Sequence, residues 1–356
     1  MVILHVATIK NNPFNGVCVV VPQHVTAQSQ YAEVALLNIE NENIGGVECK
    51  QFAYKEGFSI DDLEVPYNNP DIVVFHEGYS MQMLAISKQL KKRGIPYVLV
   101  PHGCLTKEAQ KKKWLKKKVA NFLLFNRFIN GAVAIQCLSE KEREGTRFGK
   151  NRFIGTNGIN IPSEQKSEFS KEGLKVTYIG RLDAYHKGLD ILIESVAKIG
   201  DTLRKQGVKV YLYGPDYRGR FAHVEGLISE NSVGDIISLN REVSGDEKKE
   251  ILLSSDVFVQ SSRFEGMPMG ILEALGMGIP VLITEGTTLG ELVREYDAGY
   301  VAKTEVDDLA KTFLQAIRDK GELRDKSKNA SRLALENFSW ETVSKKTVED
   351  YKNLCQ

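Results

Sequence analysis

The chain has 356 residues, 42% hydrophobic and 26% charged, and a formal net charge of +1. That excludes a disordered or fibrous protein and, with the near-neutral charge, argues against a nucleic-acid binder. Five scattered cysteines without CxxC spacing (Cys18, Cys49, Cys104, Cys137, Cys355) predict neither a zinc site nor a disulfide framework.

The charge is uneven. Residues 1–165 hold 20 Lys+Arg against 15 Asp+Glu, and the remainder holds 27 against 31. The positive excess gathers at Lys107–Lys118. No apolar run reaches the ~20 residues that span a bilayer, and Met1–Val6 is too short for a signal core. A cytoplasmic location is expected, which also suits unpaired thiols.

In chain order, apolar runs predict strands at Val2–Ala7, Ile72–Phe75, Tyr97–Val100 and Val133–Cys137, then Val176–Ile179, Val208–Tyr213, Asp256–Gln260 and Pro280–Thr284. Most are continuous rather than alternating, the pattern of strands buried on both faces of a parallel sheet. Amphipathic helices intervene; Leu189, Leu192, Ile193 and Val196 share one helical face. The expectation is an α/β protein with two doubly wound parallel sheets. The polar run at Pro162–Lys171 suggests a boundary near residue 163. Trp340–Leu354 reads as one helix.

Two segments carry the chemistry. In VTYIGRLDAYHKG (Val176–Gly188) a strand ends, Arg181 follows, and Lys187 precedes a helix. Cations beside free helix N–H groups suit a diphosphate. In SSRFEGMPMGILEALGMGIP (Ser261–Pro280), Gly266 is expected to allow close approach or an unusual dihedral, and Pro268 to open a helix. Met269, Gly270 and Ile271 then offer N–H groups to an anion. Glu265 and Glu273 stand eight apart, a spacing that means little outside this context. Taken singly, these charges read as solvated surface groups, and Thr288 with Glu291 as a capping box.

The two segments resemble the strand-GR-x-KG-helix element and the carboxylate signature of nucleotide-sugar glycosyltransferases with the GT-B fold, most closely glycosyltransferase family 4. The resemblance implies two Rossmann-like domains facing across a cleft: residues 1–163 plus 340–356 for the acceptor, and 164–339 for the donor. It implies that Arg181 and Lys187 bind the donor diphosphate, that Glu265 contacts the sugar with Gly266 and Met267 beside it, and that Glu273 takes the ribose hydroxyls. Met269, Gly270 and Ile271 belong to the same donor set. In the first half, Asn15-Gly16 stands where the family has two glycines touching the donor phosphate. PYVLVPHGCL resembles a strand ending in His-Gly, which puts His102 near the transferred sugar as a catalytic candidate. TNGIN (Thr156–Asn160) resembles the run before the interdomain hinge. His76 closes another strand as an acceptor-side candidate, whereas His5 reads as a core residue.

No DxD pair is present, so fixed cations and helix N–H groups are expected to replace a metal, and no cofactor is expected. The implied reaction is retaining transfer of a hexose from a nucleotide diphosphate sugar, UDP favoured, to a glycan or lipid-linked glycan in cell-surface polysaccharide synthesis. A nucleotide-sugar epimerase and a non-catalytic nucleotide-sugar-binding module remain alternatives. The stretch KEAQKKKWLKKKVANFLLF reads either as a solvated helix face or as a peripheral contact with an anionic membrane, which would be the inner face of the cell membrane.

Overall fold

A computed structural model describes residues 1–12, 15–111, 114–216 and 219–356. The chain forms two compact units, Met1–Gly158 with Trp340–Gln356, and Ile159–Ser339. The sequence had suggested a boundary near 163. In unit 2, Ile159 N–H donates to the Phe338 carbonyl at 2.7 Å, tying its two ends together. Among the described residues, no helix is long and apolar enough to cross a membrane.

Unit 1 is built on seven strands: β1 (Val2–Ala7), β2 (Glu33–Asn38), β3 (Lys50–Ala53), β4 (Ile72–His76), β5 (Tyr97–Val100), β6 (Ala134–Cys137) and β7 (Arg152–Ile154). They form one parallel sheet in the order β3-β2-β1-β4-β5-β6-β7. Strands β1, β4, β5 and β6 are almost wholly buried because helices cover both faces, so their sequences lack alternation. The C-terminal helix Trp340–Leu354 packs against the helix Gly16–Gln28.

Unit 2 holds β8 (Leu174–Ile179), β9 (Val208–Tyr213), β10 (Ile237–Asn240), β11 (Val257–Gln260), β12 (Val281–Thr284) and β13 (Gly299–Ala302). This sheet is also parallel, in the order β10-β9-β8-β11-β12-β13. Both orders reverse direction once, between β1 and β4 and between β8 and β11. Such reversals open a crevice at the carboxyl ends of the flanking strands.

The five strands absent from the sequence reading are β2, β3, β7, β10 and β13. Three of them (β3, β7 and β10) are edge or edge-adjacent pieces of three or four residues, with half-exposed side chains that give no apolar run. The expected Thr288–Glu291 capping box does not form. Thr288 sits in the left-handed region with its hydroxyl unpartnered, and Leu289 is the residue that caps the helix Gly290–Tyr296.

Candidate active site

The two carboxyl-end loops of unit 2 come together at its sheet reversal. After β8 the chain turns through Gly180 and Arg181, a turn tied by the Tyr178 hydroxyl donating to the Arg181 carbonyl at 2.7 Å. Arg181 is exposed, and among the described residues its guanidinium makes no ion pair or hydrogen bond. Lys187 lies just before the helix Leu189–Lys198. Gly188 between them has φ 62° and sits against the β11 loop, where a Cβ would lie 2.0 Å from the Ser261 carbonyl oxygen. Only glycine meets both conditions.

Glu265 is nearly buried. Its Oε1 accepts from Lys187 Nζ at 2.5 Å, Ser262 Oγ at 2.6 Å and Gln260 Nε2 at 2.9 Å. Among the described residues Oε2 has no such partner, so one oxygen is fixed and the other is left for a ligand hydroxyl. The Glu265 N–H donates to the Gly286 carbonyl at 2.9 Å. Gly286 is obligatory for a different reason than Gly188: a Cβ there would lie 2.1 Å from the Ser262 carbonyl oxygen. Gly266 needs neither the close approach within the protein nor the unusual dihedral expected of it. Nothing lies within 4 Å of its Cβ position and its φ is ordinary. The space beside it is open.

Pro268 caps the helix Met269–Gly276, as its missing N–H permits. Met269, Gly270 and Ile271 form its first turn, where N–H groups lack carbonyl partners deeper in the helix. The Ile271 N–H nonetheless bonds Pro268 O at 3.0 Å, and the Met269 N–H bonds Met267 O at 3.1 Å. Gly270 packs under the β8 end, its Cβ position 3.4 Å from the Ile179 carbonyl oxygen. Glu273 lies one turn further and pairs with Lys248 Nζ at 2.5 Å through Oε2.

Several contributors had no separate signal in the sequence. Arg263 makes a two-pronged ion pair with Asp190 (2.7 and 2.8 Å) and donates to the Tyr185 carbonyl, locking the β11 loop to the β8 loop. His186 stacks on Phe264 with ring centres 4.3 Å apart, and its Nε2 bonds the Phe264 carbonyl at 2.8 Å. Gln260 and Ser262 were readable only as polar residues closing an apolar strand.

Unit 1 presents its own candidates. Gly16 opens the helix Gly16–Gln28 in open space, with Asn15 Oδ1 accepting from the Val17 N–H at 3.0 Å. Pro13 and Phe14 before it lie outside the described residues. His102 follows β5 with φ 47°, and Gly103 with φ 82°. The buried Glu142 holds this turn: Oε1 accepts the Gly103 N–H at 2.5 Å and Oε2 the Leu138 N–H at 2.7 Å. Burial pushes the Glu142 carboxyl up, against the pull of those two N–H groups. His102 is half-buried and its Nε2 lies 3.1 Å from His76 Nδ1. His76 itself does not reach an acceptor side. It is fully buried, with its other nitrogen on His5, because the last residue of a central strand points into the sheet's covered face. His5 is also fully buried.

The basic stretch is two helices, Lys107–Lys111 and Trp114–Ala120, running into the π-helical turn Asn121–Phe125. Lys112 and Lys113 lie outside the described residues. Trp114, Val119, Phe122 and Leu123 are each more than half exposed. A pocket of about 960 Å³ lies among them, rimmed by Lys107, Lys118 and Arg147.

Comparison with known proteins identifies the family. A model described as "Glycosyl transferases group 1" matches residues 161–334. Unit 2 therefore carries a group 1 glycosyl transferase domain. The match contains every candidate residue of unit 2 named above, from Arg181 to Glu273, and leaves Gly16 of unit 1 outside. Among the relatives of this chain, the MMP alpha-(1->4)-mannosyltransferase of Mycolicibacterium hassiacum is 28% identical over 50% of this chain and 43% of its own. The GDP-mannose:cellobiosyl-diphosphopolyprenol alpha-mannosyltransferase of Xanthomonas oryzae is 22% identical over 79% and 73%. The chain spans about half the length of its more similar curated relatives. In fold it matches Anabaena HepE in complex with UDP, with a TM-score of 0.73 at 17% identity over 99% of this chain and all of that one. The GT-B architecture of two parallel-sheet domains is thereby established.

Proposed function

We propose that this glycosyltransferase transfers a hexose-type sugar from a nucleotide diphosphate sugar, UDP-linked in the first instance, with retention and without a metal. The observation that carries the donor assignment is the meeting of Arg181, Lys187, Glu265 and the start of the helix Met269–Gly276 at the sheet reversal of unit 2. Breaking the glycosyl–phosphate bond puts negative charge on the departing diphosphate. The unpaired Arg181 fork grips two phosphate oxygens, Lys187 adds a point charge, and the helix start adds N–H dipoles. Lys187 is held aimed by Glu265, whose Oε2 takes a sugar hydroxyl. Glu273 accepts the ribose hydroxyls through Oε1 while Lys248 occupies Oε2. With Oε1 of Glu265 committed to three donors, its carboxylate is a poor nucleophile, which supports front-face attack with the donor phosphate taking the acceptor proton.

The test is release of nucleotide diphosphate from UDP-, GDP- and ADP-sugars with and without glycan acceptors, in EDTA and with added Mg²⁺. Acceptor-dependent release that survives EDTA is expected. Release without acceptor would favour an epimerase-type or hydrolytic activity, and binding without turnover a binding module.

For the acceptor, we propose a lipid-linked glycan taken at an anionic membrane surface in cell-surface polysaccharide synthesis. The exposed apolar side chains of Trp114, Val119, Phe122 and Leu123 beside Lys107, Lys118 and Arg147 support it, since an apolar face edged by cations suits the headgroup boundary. The diphosphopolyprenol acceptor in the Xanthomonas relative's name agrees. Co-sedimentation with vesicles should rise with anionic lipid and fall for Phe122→Ser with Leu123→Ser; binding indifferent to lipid charge removes this reading.

A further inference from the structure

At the sheet reversal of unit 1, one residue is held in the fold at a double cost. Glu77 follows β4, and its N–H donates to the Val100 carbonyl at 3.0 Å, carrying the β4–β5 ladder one residue past His76. Its φ is 108°, a region that glycine alone adopts without strain. Gly78, the next residue, has an ordinary φ, and its Cβ position lies 3.3 Å from Cys104 Sγ. The chain has a glycine one position away and still puts the strained backbone on the glutamate. Outliers of this kind persist where a side chain has to be aimed.

The side chain is the second cost. Glu77 is half-buried, and among the described residues its carboxylate makes no hydrogen bond or ion pair. Burial pushes the carboxyl up, and the Glu40 carboxylate adds to the push. A carboxylate drawn this far from water without a partner is destabilising until a ligand completes it. The neighbouring loops define that ligand. His102, at the next strand end, also has a positive φ (47°), and burial keeps its ring neutral, pushed down to about 4. At Gly16 and Gly103 nothing lies within 4 Å of the Cβ position, so the backbone there is open to approach. Among the described residues of the loops after β1, β2, β4 and β5 (8–16, 39–49, 77–80 and 101–106), Lys10 is the one cation, and it pairs with Glu40 at 3.2 Å. Acceptors without a free cation suit neutral hydroxyls and repel phosphate or carboxylate.

We propose that Glu77 is a substrate-binding residue of unit 1, whose carboxylate accepts two adjacent hydroxyls of an uncharged sugar ring beside His102 and excludes rings that carry a carboxylate or phosphate. Glu77 thereby sets the charge class of the acceptor. The acceptor role rests on the sugar-transfer reading above; the double cost at Glu77 does not.

The test is a saturation-transfer NMR titration of the full chain with methyl α-D-mannoside, methyl α-D-glucoside and methyl α-D-glucuronide, beside thermal unfolding. The wild type should bind a neutral ring at least about tenfold more tightly than the glucuronide, whose carboxylate meets a like charge. Glu77→Gln keeps the shape and removes the charge. It should weaken the neutral ring by about ten- to a hundredfold, the weight of hydrogen bonds to a charged group, and bring the ratio to within about threefold. Glu77→Gly removes both costs. Its melting temperature should rise by about 2–4 °C while neutral-ring binding is lost. No wild-type binding of a neutral ring, equal wild-type affinity for neutral and charged rings, a ratio unmoved by Glu77→Gln, or a melting temperature unmoved or lowered in Glu77→Gly overturns the proposal. Neither readout needs turnover. Wild-type binding with the expected selectivity but no acceptor-dependent release of nucleotide diphosphate overturns the sugar-transfer reading instead.

Discussion

Acidification should unfold unit 1 early, and the histidines set the size of the effect. His5, His24 and His76 are buried, and burial is the main cause of their low affinity for protons. His5 is pushed from the ordinary 6.5 to about 4, His24 to about 3, and His76 well below 6.5. A base depressed in the fold lends stability that is present above the unfolded value and lost as pH falls toward the folded one. The window therefore runs downward from about pH 6.5. At pH 5.5 an unfolded imidazole is about nine-tenths protonated, so these three rings and His102, itself pushed down to about 4, together take up between three and four protons on unfolding, and stability falls by about 5 kcal/mol per pH unit. Burial-raised carboxyls at Glu77, Glu142 and Asp350 hold protons in the fold and oppose this trend. A difference measurement removes them. Urea unfolding at pH 7.0, 6.0 and 5.5 should give a pH slope for His24→Phe that is lower than wild type by about one proton. Equal slopes would mean that His24 is not held neutral, and the reasoning would fail.

Other substitutions probe the two carboxyl-end loops of unit 2 and the His102 turn. Lys187→Ala should lower kcat by about 10²–10³, as loss of one charge-stabilising donor does, in single-turnover assays with saturating donor. Arg181→Lys keeps the charge but loses the fork, and should weaken nucleotide diphosphate binding in calorimetry without changing the melting temperature. Gly286→Ala forces a methyl group onto the Ser262 carbonyl and should cost about 3 kcal/mol in urea unfolding. Glu142→Gln exchanges one of two accepting oxygens for a donor facing a backbone N–H, and should cost about 1–3 kcal/mol.

Much of this was legible in the sequence because parallel strands buried on both faces leave continuous apolar runs. The runs Val176–Ile179 and Asp256–Gln260 mark β8 and β11, so the sequence itself puts Arg181 and Glu265 just past strand ends. The hydrogen-bonded run from His102 through His76, His5 and Gln28 to His24 was not legible. His5, His24, His76 and His102 come from four elements, and their meeting depends on the β1–β4–β5 register and on the helix Gly16–Gln28. His24 has no distinguishing context in the sequence, and His76, closing a strand, reads there as an acceptor-side candidate. Glu142 was hidden differently. Ser139-x-x-Glu142 has the spacing of a capping box, and Ser139 Oγ does accept the Glu142 N–H, but the carboxylate reaches across to Gly103 instead.

The discontinuity of unit 1 has a consequence for the order of biosynthesis. Tyr351 lies 215 positions beyond Gln136, with all of unit 2 between them. Unit 2 can complete its sheet from one unbroken stretch of chain, whereas the helix Trp340–Leu354 is made only after all of unit 2. Until it arrives, Gln136 lacks the Tyr351 hydroxyl, and the face of the helix Gly16–Gln28 that it covers stays open. Closing that long loop is slow in entropy. A nascent chain arrested before residue 340 should therefore hold a folded, protease-resistant second half beside a first half still open to cleavage.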